Sequence, residues 1–163
     1  MKTLLIIFHS MTDGARQMAE AAAFAARSQN DIVVRLMHAS EAKAEDLLGA
    51  DGYLFVTPEN LAAISGVMKD FFDRNFYLVL DQLIGRPYAT LICAGSDGHN
   101  AVKQIDRICL GWRLRKALES VIVCTQAQTP QAIMAKKNIL EQDLVRCQEV
   151  GEALASGLTM GIF

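Results

Sequence analysis

The chain has 163 residues, of which 52% are hydrophobic and 21% are charged, and its formal net charge is −2 at pH 7. These values predict a single domain over residues 1–163, and they exclude a disordered chain and a mainly nucleic-acid-binding protein. The opening apolar run, Leu4–Phe8, is too short for a secretory leader or a membrane span, so a cytoplasmic location is expected.

Short apolar runs alternate with amphipathic stretches along the chain. The apolar runs predict five β-strands at Leu4–Phe8, Ile32–Met37, Gly52–Thr57, Pro87–Ala94 and Val121–Thr125. Helical periodicity occurs at Ala15–Arg27, at Ala42–Leu48, from Ser65 onward, at Asn100–Leu118 and at Gln131–Ser156. Strands without polar alternation, separated by helices, indicate a parallel sheet covered on both faces. Right-handed crossovers then favour a doubly wound five-stranded α/β sheet of order 2-1-3-4-5, with helices on both faces and a ligand site at its carboxyl edge.

The loop after the first strand has the composition of an anion site. Ser10 and Thr12 offer hydroxyls, Gly14 permits a turn, and a helix begins near Ala15. Helix N-termini favour phosphates, although the same residue types are also ordinary helix caps. Asp13 would repel a phosphate, so its side chain is expected to point to solvent or to cap the helix. Neither GxxxxGK[ST] nor GxGxxG follows this strand, which excludes a P-loop and a dinucleotide fingerprint.

The most specific motif follows the third strand, where Thr57–Arg74 reads TPENLAAISGVMKDFFDR. This segment resembles the corresponding loop and helix of FMN-binding flavodoxin-like proteins. The closest groups are the small flavodoxin-family reductases and the tryptophan-repressor-binding type of NAD(P)H:quinone oxidoreductase. The first loop, the AGSDG segment at Ala94–Gly98 and the stretch Gln104–Leu114 look like the same family. The resemblance therefore covers nearly the whole chain.

The resemblance implies an FMN site built from three loops. The phosphate would be surrounded by Ser10, Thr12, Gly14 and Ala15. One side of the isoalloxazine ring and its polar edge would meet Pro58, Glu59, Asn60, Leu61 and Ala62. The other side would be closed by Gly95, Ser96, Asp97 and Gly98, with His99 close by. No catalytic side chain is implied, because the flavin itself carries out the redox chemistry.

Three functions stay open. The first is an FMN-dependent NAD(P)H oxidoreductase that reduces quinones or similar acceptors, with NADH or NADPH as the electron donor. The small residues Ala62, Ala63 and Gly98 favour it, since they would leave a ring face open. The second is a flavodoxin-type one-electron carrier, which the lack of a flanking Trp and Tyr pair disfavours. The third is a non-enzymatic flavodoxin-fold binding module.

Other residues have structural interpretations. Trp112 is predicted to be a partly buried packing residue. The run Phe71–Leu80 has more apolar side chains than one helix face buries easily, which predicts a homodimer or a higher homo-oligomer.

Ala62 stands where the family often has glycine, and alanine disfavours a left-handed backbone. The cysteines form no CxxC pair, so reduced thiols and no metal site are expected at Cys93, Cys109, Cys124 and Cys147. The expected partner is a small redox substrate, with neither nucleic acid nor membrane.

Overall fold

A parallel sheet runs through the centre of the structure, a computed structural model that describes residues 1–163. Four long strands are β1 (Lys2–Phe8), β2 (Ile32–His38), β3 (Gly52–Asn60) and β5 (Pro87–Ala94). A two-residue strand, β4 (Ala63–Ile64), pairs antiparallel with the end of β3. The outermost position beside β5 is shared by β6 (Arg115–Lys116) and β7 (Val121–Cys124). The order β2-β1-β3-β5-β6/β7 confirms the predicted 2-1-3-4-5 sheet, although seven strand segments replace the predicted five.

Six helices cover the sheet. They are α1 (Gly14–Ala26), α2 (Ala44–Leu48), α3 (Gly66–Asn75), α4 (His99–Gly111), α5 (Pro130–Met134) and α6 (Glu141–Met160). None of the six is both long enough and apolar enough to cross a membrane.

The strand β1 shows why its sequence is apolar at consecutive positions. Leu4 and Ile6 pack on one face of the sheet, in a core cluster with residues of α1 and α6. Leu5 and Ile7 pack on the other face, with residues of α3 and α4. All four side chains are fully buried. A strand covered on both faces needs apolar side chains at every position, which is the pattern typical of parallel sheets.

The helices α1 and α6 touch through their backbones. Small side chains make up most of the buried face of α1, at Ala15, Ala19, Ala22, Ala23 and Ala26. Facing them, Gly151 of α6 lies so close that a Cβ atom built on it would stand 2.1 Å from the carbonyl oxygen of Ala22. The contact therefore depends on the absence of a side chain at Gly151.

The helix predicted over Asn100–Leu118 is too long at its C-terminal end. The helix α4 ends at Gly111, with Trp112 at its C-cap, and Arg113 adopts a left-handed backbone with φ 56°. Trp112 is fully buried, more than the partial burial expected of it. Its indole Nε1 donates to the carbonyl oxygen of Phe76 at 3.0 Å, which satisfies its polar atom.

The prediction of one continuous helix over Gln131–Ser156 is also wrong. It consists of α5 and α6, separated by a non-helical segment, residues 135–140, which we call the strap. The strap is bonded to α1 and the loop before it: the Lys137 amide donates to the Thr12 carbonyl at 2.8 Å. The Gln17 side chain donates to the Lys137 carbonyl at 2.7 Å and accepts from the Ile139 amide at 3.0 Å. These bonds replace the ones that a continuous helix would have made.

Candidate functional site

A cavity of about 430 Å³ opens at the carboxyl edge of the sheet. It lies among the loops that follow β1, β3 and β5, and part of its wall comes from α5 and the strap. The structure brings nine of the residues predicted from sequence to its lining: Ser10, Thr12, Gly14, Ala15, Pro58, Glu59, Asn60, Leu61 and Gly95. Loops far apart in the sequence thus meet where a doubly wound sheet places its ligand.

Five predicted site residues do not line this cavity: Ala62, Ser96, Asp97, Gly98 and His99. The carboxylate of Glu59 accepts a hydrogen bond from the Gly98 amide at 2.7 Å, which ties the third loop to the end of β3. Asp97 and His99 pair with each other at 2.6 Å, and both side chains are mostly exposed. The hydrogen bonds from His99 lower the pKa of Asp97. In this arrangement the two side chains form a surface pair beside the cavity.

Eight lining residues were not among the predicted site residues: Met11, Cys93, Ala94, Thr125, Ala127, Ile133, Met134 and Lys137. Thr125 and Ala127 follow β7, whose position at the carboxyl edge could have indicated them. Ile133, Met134 and Lys137 come from α5 and the strap. No sequence signal indicated that this part of the chain folds back over the first loop.

The first loop, residues 9–13, leads into the N-terminus of α1. A Cβ at Gly14 would lie 2.6 Å from the Cys93 sulfur, so a side chain at this position would have to displace that sulfur from its place in the core. The hydroxyl oxygen of Ser10 is buried and has no hydrogen-bond partner within the protein. A buried hydroxyl without a partner is costly, and it fits an acceptor supplied by a bound ligand.

Asp13 neither caps α1 nor points freely to solvent, which corrects the expectation for its side chain. It makes no capping hydrogen bond, and its side chain is 19% exposed. It pairs with Arg16 at 2.7 Å and with Lys136 at 3.4 Å. Burial alone would raise the pKa of Asp13, but the Gln17 hydrogen bond and the two cations outweigh it and lower the pKa. These two cations offset the repulsion that the carboxylate would exert on an anion beside it.

The turn between β3 and β4 holds two non-glycine residues in a left-handed backbone. Leu61 has φ 51° and Ala62 has φ 61°, and the Leu61 side chain is fully exposed. The Asn100 side chain donates to the Ala62 carbonyl at 2.5 Å, which fixes the turn from α4. A two-residue turn with both φ values positive usually carries asparagine and glycine. The turn is therefore strained at the rim of the cavity.

Replacing Ala62 with glycine should raise the free energy of unfolding by about 0.5 kcal/mol. Relief of the left-handed strain, about 1–2 kcal/mol, exceeds the entropic cost of glycine, about 0.5–1 kcal/mol. The matched control is Ala63→Gly, in β4, where φ is negative and only the entropic cost applies, so stability should fall. Urea unfolding of both variants checks this, and equal losses in the two would contradict the strain.

His9, the first residue of the first loop, forms a half-buried polar contact with Ser65. The His9 Nδ1 atom lies 2.8 Å from the Ser65 hydroxyl, which accepts from the Met68 amide and caps α3. Burial, and next the nearby His38, lower the pKa of His9. His9 is therefore a neutral packing residue near neutral pH, and no lining residue of the cavity pairs with it.

The cavity is chemically divided. Hydroxyls and the N-terminus of α1 lie at one end, together with the Lys137 ammonium group. Elsewhere the lining is largely apolar, and none of its 17 residues is aromatic. No group of His, Cys, Asp and Glu side chains in the structure could hold a metal ion. The arrangement suits a largely apolar ligand that carries one anionic group.

Comparison with known proteins gives a family and a fold. The model of a family described as NADPH-dependent FMN reductase matches residues 13–128. A flavodoxin of Aquifex aeolicus is 40% identical over 96 residues, which cover 59% of this chain and 50% of that protein. An NAD(P)H dehydrogenase (quinone) of Acidithiobacillus ferrooxidans is 33% identical over 94 residues, covering 45% of this chain and 47% of that protein. The chain spans about half the length of these curated relatives.

Among solved structures, oxidised flavodoxin 1 from Bacillus cereus superposes with a TM-score of 0.77 at 19% identity. The match covers 96% of this chain and 99% of that one. At this level of identity the similarity concerns the fold alone, and it confirms the flavodoxin-like architecture.

Proposed function

Because the chain belongs to the NADPH-dependent FMN reductase family, we propose that it is an FMN-dependent oxidoreductase that takes electrons from NADH or NADPH. Its acceptors are quinones or similar small molecules. The observation that carries the proposal is a largely apolar cavity with an anion-binding end and no aromatic side chain in its lining.

The residues present fit FMN. The unpartnered Ser10 hydroxyl, Thr12 and the N-terminus of α1 supply donors for a monoester phosphate. The segment Pro58–Leu61 and Gly95 would lie against the ring system. The cavity volume of about 430 Å³ is within the range of small-molecule sites. When bound, FMN supplies the redox chemistry, and the protein supplies binding, orientation and electrostatics.

The rim of the cavity supports a small apolar electron acceptor. Four exposed apolar residues line the cavity: Met11, Leu61, Ile133 and Met134, with exposed fractions from 43% upward. Such side chains favour contact with an apolar ring and exclude water from it. No lining side chain forms a nucleophile–base pair, and hydride chemistry on a flavin requires none.

A one-electron carrier is the second candidate, favoured by the 40% identical flavodoxin of Aquifex aeolicus. A carrier has no need to admit a nicotinamide ring to its cofactor. The uncovered cavity and its apolar rim favour the oxidoreductase, because they leave room for a second planar molecule.

Anaerobic titration of the FMN-loaded protein tests the proposal. We expect calorimetry to show tighter binding of FMN than of FAD, since the first loop lacks a dinucleotide motif. NADH or NADPH should then bleach the visible absorbance of the bound flavin, with dithionite as the positive control. Bleaching by dithionite alone would make the protein an electron carrier, and failure to bind FMN would refute the site itself.

We also propose that the chain forms a homodimer or a higher homo-oligomer. Within Phe71–Leu80, Phe71 and Phe72 are buried, whereas Tyr77 and Leu78 are 82% and 62% exposed. Adjacent exposed apolar side chains support a contact between copies. Light scattering at micromolar concentration tests it, with the Tyr77→Ser/Leu78→Ser double variant as the comparison. A monomer mass for the unmodified protein would refute the proposal.

A further inference from the structure

Lys137 is a cation in the cavity that neither the first-loop motif nor the family match includes. It lies in the strap, beyond residue 128, where the matched segment ends. Its Nζ atom lies 3.3 Å from the Thr12 hydroxyl oxygen, and it also donates to the carbonyls of Ile133 at 2.9 Å and Ala135 at 2.5 Å. The ammonium group is therefore held in place at the anion-binding end of the cavity.

The backbone around Lys137 is fixed as well as its side chain. Its amide donates to the Thr12 carbonyl, and its carbonyl accepts from the Gln17 side chain. The other side of the Gln17 amide accepts from Ile139. A side chain carried on a backbone bonded at three points loses little further entropy when a ligand arrives.

Among the cationic side chains around the first loop, Lys137 is the one that has no carboxylate partner within the protein and could pair with a bound anion. Arg16 and Lys136 are both paired with Asp13. Lys137 is the only cationic side chain in the cavity lining, and no carboxylate lies within ion-pair distance of it. A buried or half-buried cation without an anion favours binding of one.

The Lys137 contact also orients the Thr12 hydroxyl. The oxygen of Thr12 accepts from the Lys137 ammonium, so its own proton is free to be donated elsewhere. The Ser10 hydroxyl has no partner in the protein and is equally free. The Lys137 ammonium and the hydroxyls of Ser10 and Thr12 thus line the same cavity as the first residues of α1, where the helix dipole favours negative charge.

We propose that Lys137 holds the phosphate monoester of the flavin mononucleotide, and that the strap is a fourth cofactor-binding segment. This inference rests on the proposed FMN site. It replaces the sequence-based view of a phosphate site made of hydroxyls and backbone amides alone. Lys137 acts on binding and takes no part in the redox reaction.

Two lysines adjacent in the strap provide the test. Lys137→Met should weaken FMN affinity by about 10- to 30-fold, because the phosphate would lose the one positively charged side chain in the cavity lining. Lys136→Met should weaken it by less than about threefold, because the Lys136 side chain is 71% exposed and Arg16 still pairs with Asp13 at 2.7 Å. Riboflavin, which lacks the phosphate, should bind the unmodified protein and both variants alike. Quenching of flavin fluorescence measures all six affinities, and Lys137→Arg should recover most of the FMN affinity.

The outcomes separate this inference from the function it rests on. If the unmodified protein does not bind FMN, the proposed function fails. If it binds FMN and Lys137→Met binds equally well, the role of Lys137 is refuted. An equal loss of affinity for FMN and for riboflavin in that variant would also refute it, because Lys137 would then only support the cavity wall. Thermal unfolding of the flavin-free variants verifies that they are folded.

Discussion

Replacing both Ser10 and Thr12 with alanine should weaken FMN binding by about 3–4 kcal/mol, a loss of several hundredfold. The two hydroxyls line the cavity from the loop that leads into α1, and hydrogen bonds to charged groups contribute about 1.5–3 kcal/mol each. Flavin-free stability should change little, because the Ser10 hydroxyl makes no hydrogen bond within the protein and the Thr12 hydroxyl makes only a 3.3 Å contact with the Lys137 ammonium. The variant therefore separates binding from folding.

The control for this variant is a second buried hydroxyl outside the cavity. Thr90 lies in β5, and its hydroxyl oxygen is also buried without a partner. Thr90→Val should leave FMN affinity unchanged, since no lining residue is altered. Calorimetry with FMN and urea unfolding without it give the two readouts. Unchanged affinity in the Ser10→Ala/Thr12→Ala variant would show that the first loop does not hold the phosphate.

Replacing Gly151 with alanine should lower the free energy of unfolding by about 3 kcal/mol. Alanine in a helix interior normally stabilises by about 1 kcal/mol relative to glycine, so intrinsic propensity predicts the opposite sign. The new methyl group would stand 2.1 Å from the Ala22 carbonyl oxygen, and only a shift of α1 against α6 could relieve the overlap. Urea unfolding of the flavin-free protein measures the loss.

The matched control is Gly157→Ala, six residues further along α6. There the added Cβ would stand equally close, 2.1 Å, to an atom of the Phe163 ring. That ring is the far end of a side chain near the chain's last helix, and it can rotate away. We expect a change within about 1 kcal/mol. Similar losses in the two variants would show that the backbone contact between α1 and α6 is not the cause.

The sheet was predictable because burial on both faces leaves a direct trace in the sequence. Leu4–Ile7 is apolar at every position, and the structure buries all four side chains. The end of α4 was misplaced because Trp112 and Leu114 continue the apolar pattern past the helix. Gly111 was the available signal for the end of the helix. The left-handed backbone of Arg113, two residues later, could not be predicted, because arginine is not a residue type that indicates it.

The sequence predicted the parts of the site that are formed by short motifs. It did not predict the part that is formed by contacts between distant residues. The first loop and Pro58–Leu61 are short motifs beside strands, and both reach the cavity. The strap contributes through hydrogen bonds between residues 120 and 122 positions apart, from Gln17 to Lys137 and Ile139. Between Gln131 and Val150 the sequence has neither glycine nor proline, so helical periodicity masks the break. Contacts of this range follow from the topology and not from local pattern.

The position of the strap late in the sequence predicts when, during translation, the protein becomes able to retain its cofactor. Gln17 leaves the ribosome well before its hydrogen-bond partners in the strap, which lie 120 and 122 residues later in the sequence. The alanine-rich face of α1 likewise stays uncovered until α6 has been synthesised and can pack against it. Chains stalled before residue 137 emerges should therefore release flavin readily, and chains stalled beyond the end of α6 should retain it. Flavin retention on stalled ribosomes measures this, and it would make cofactor capture a marker that the strap and α6 have been synthesised.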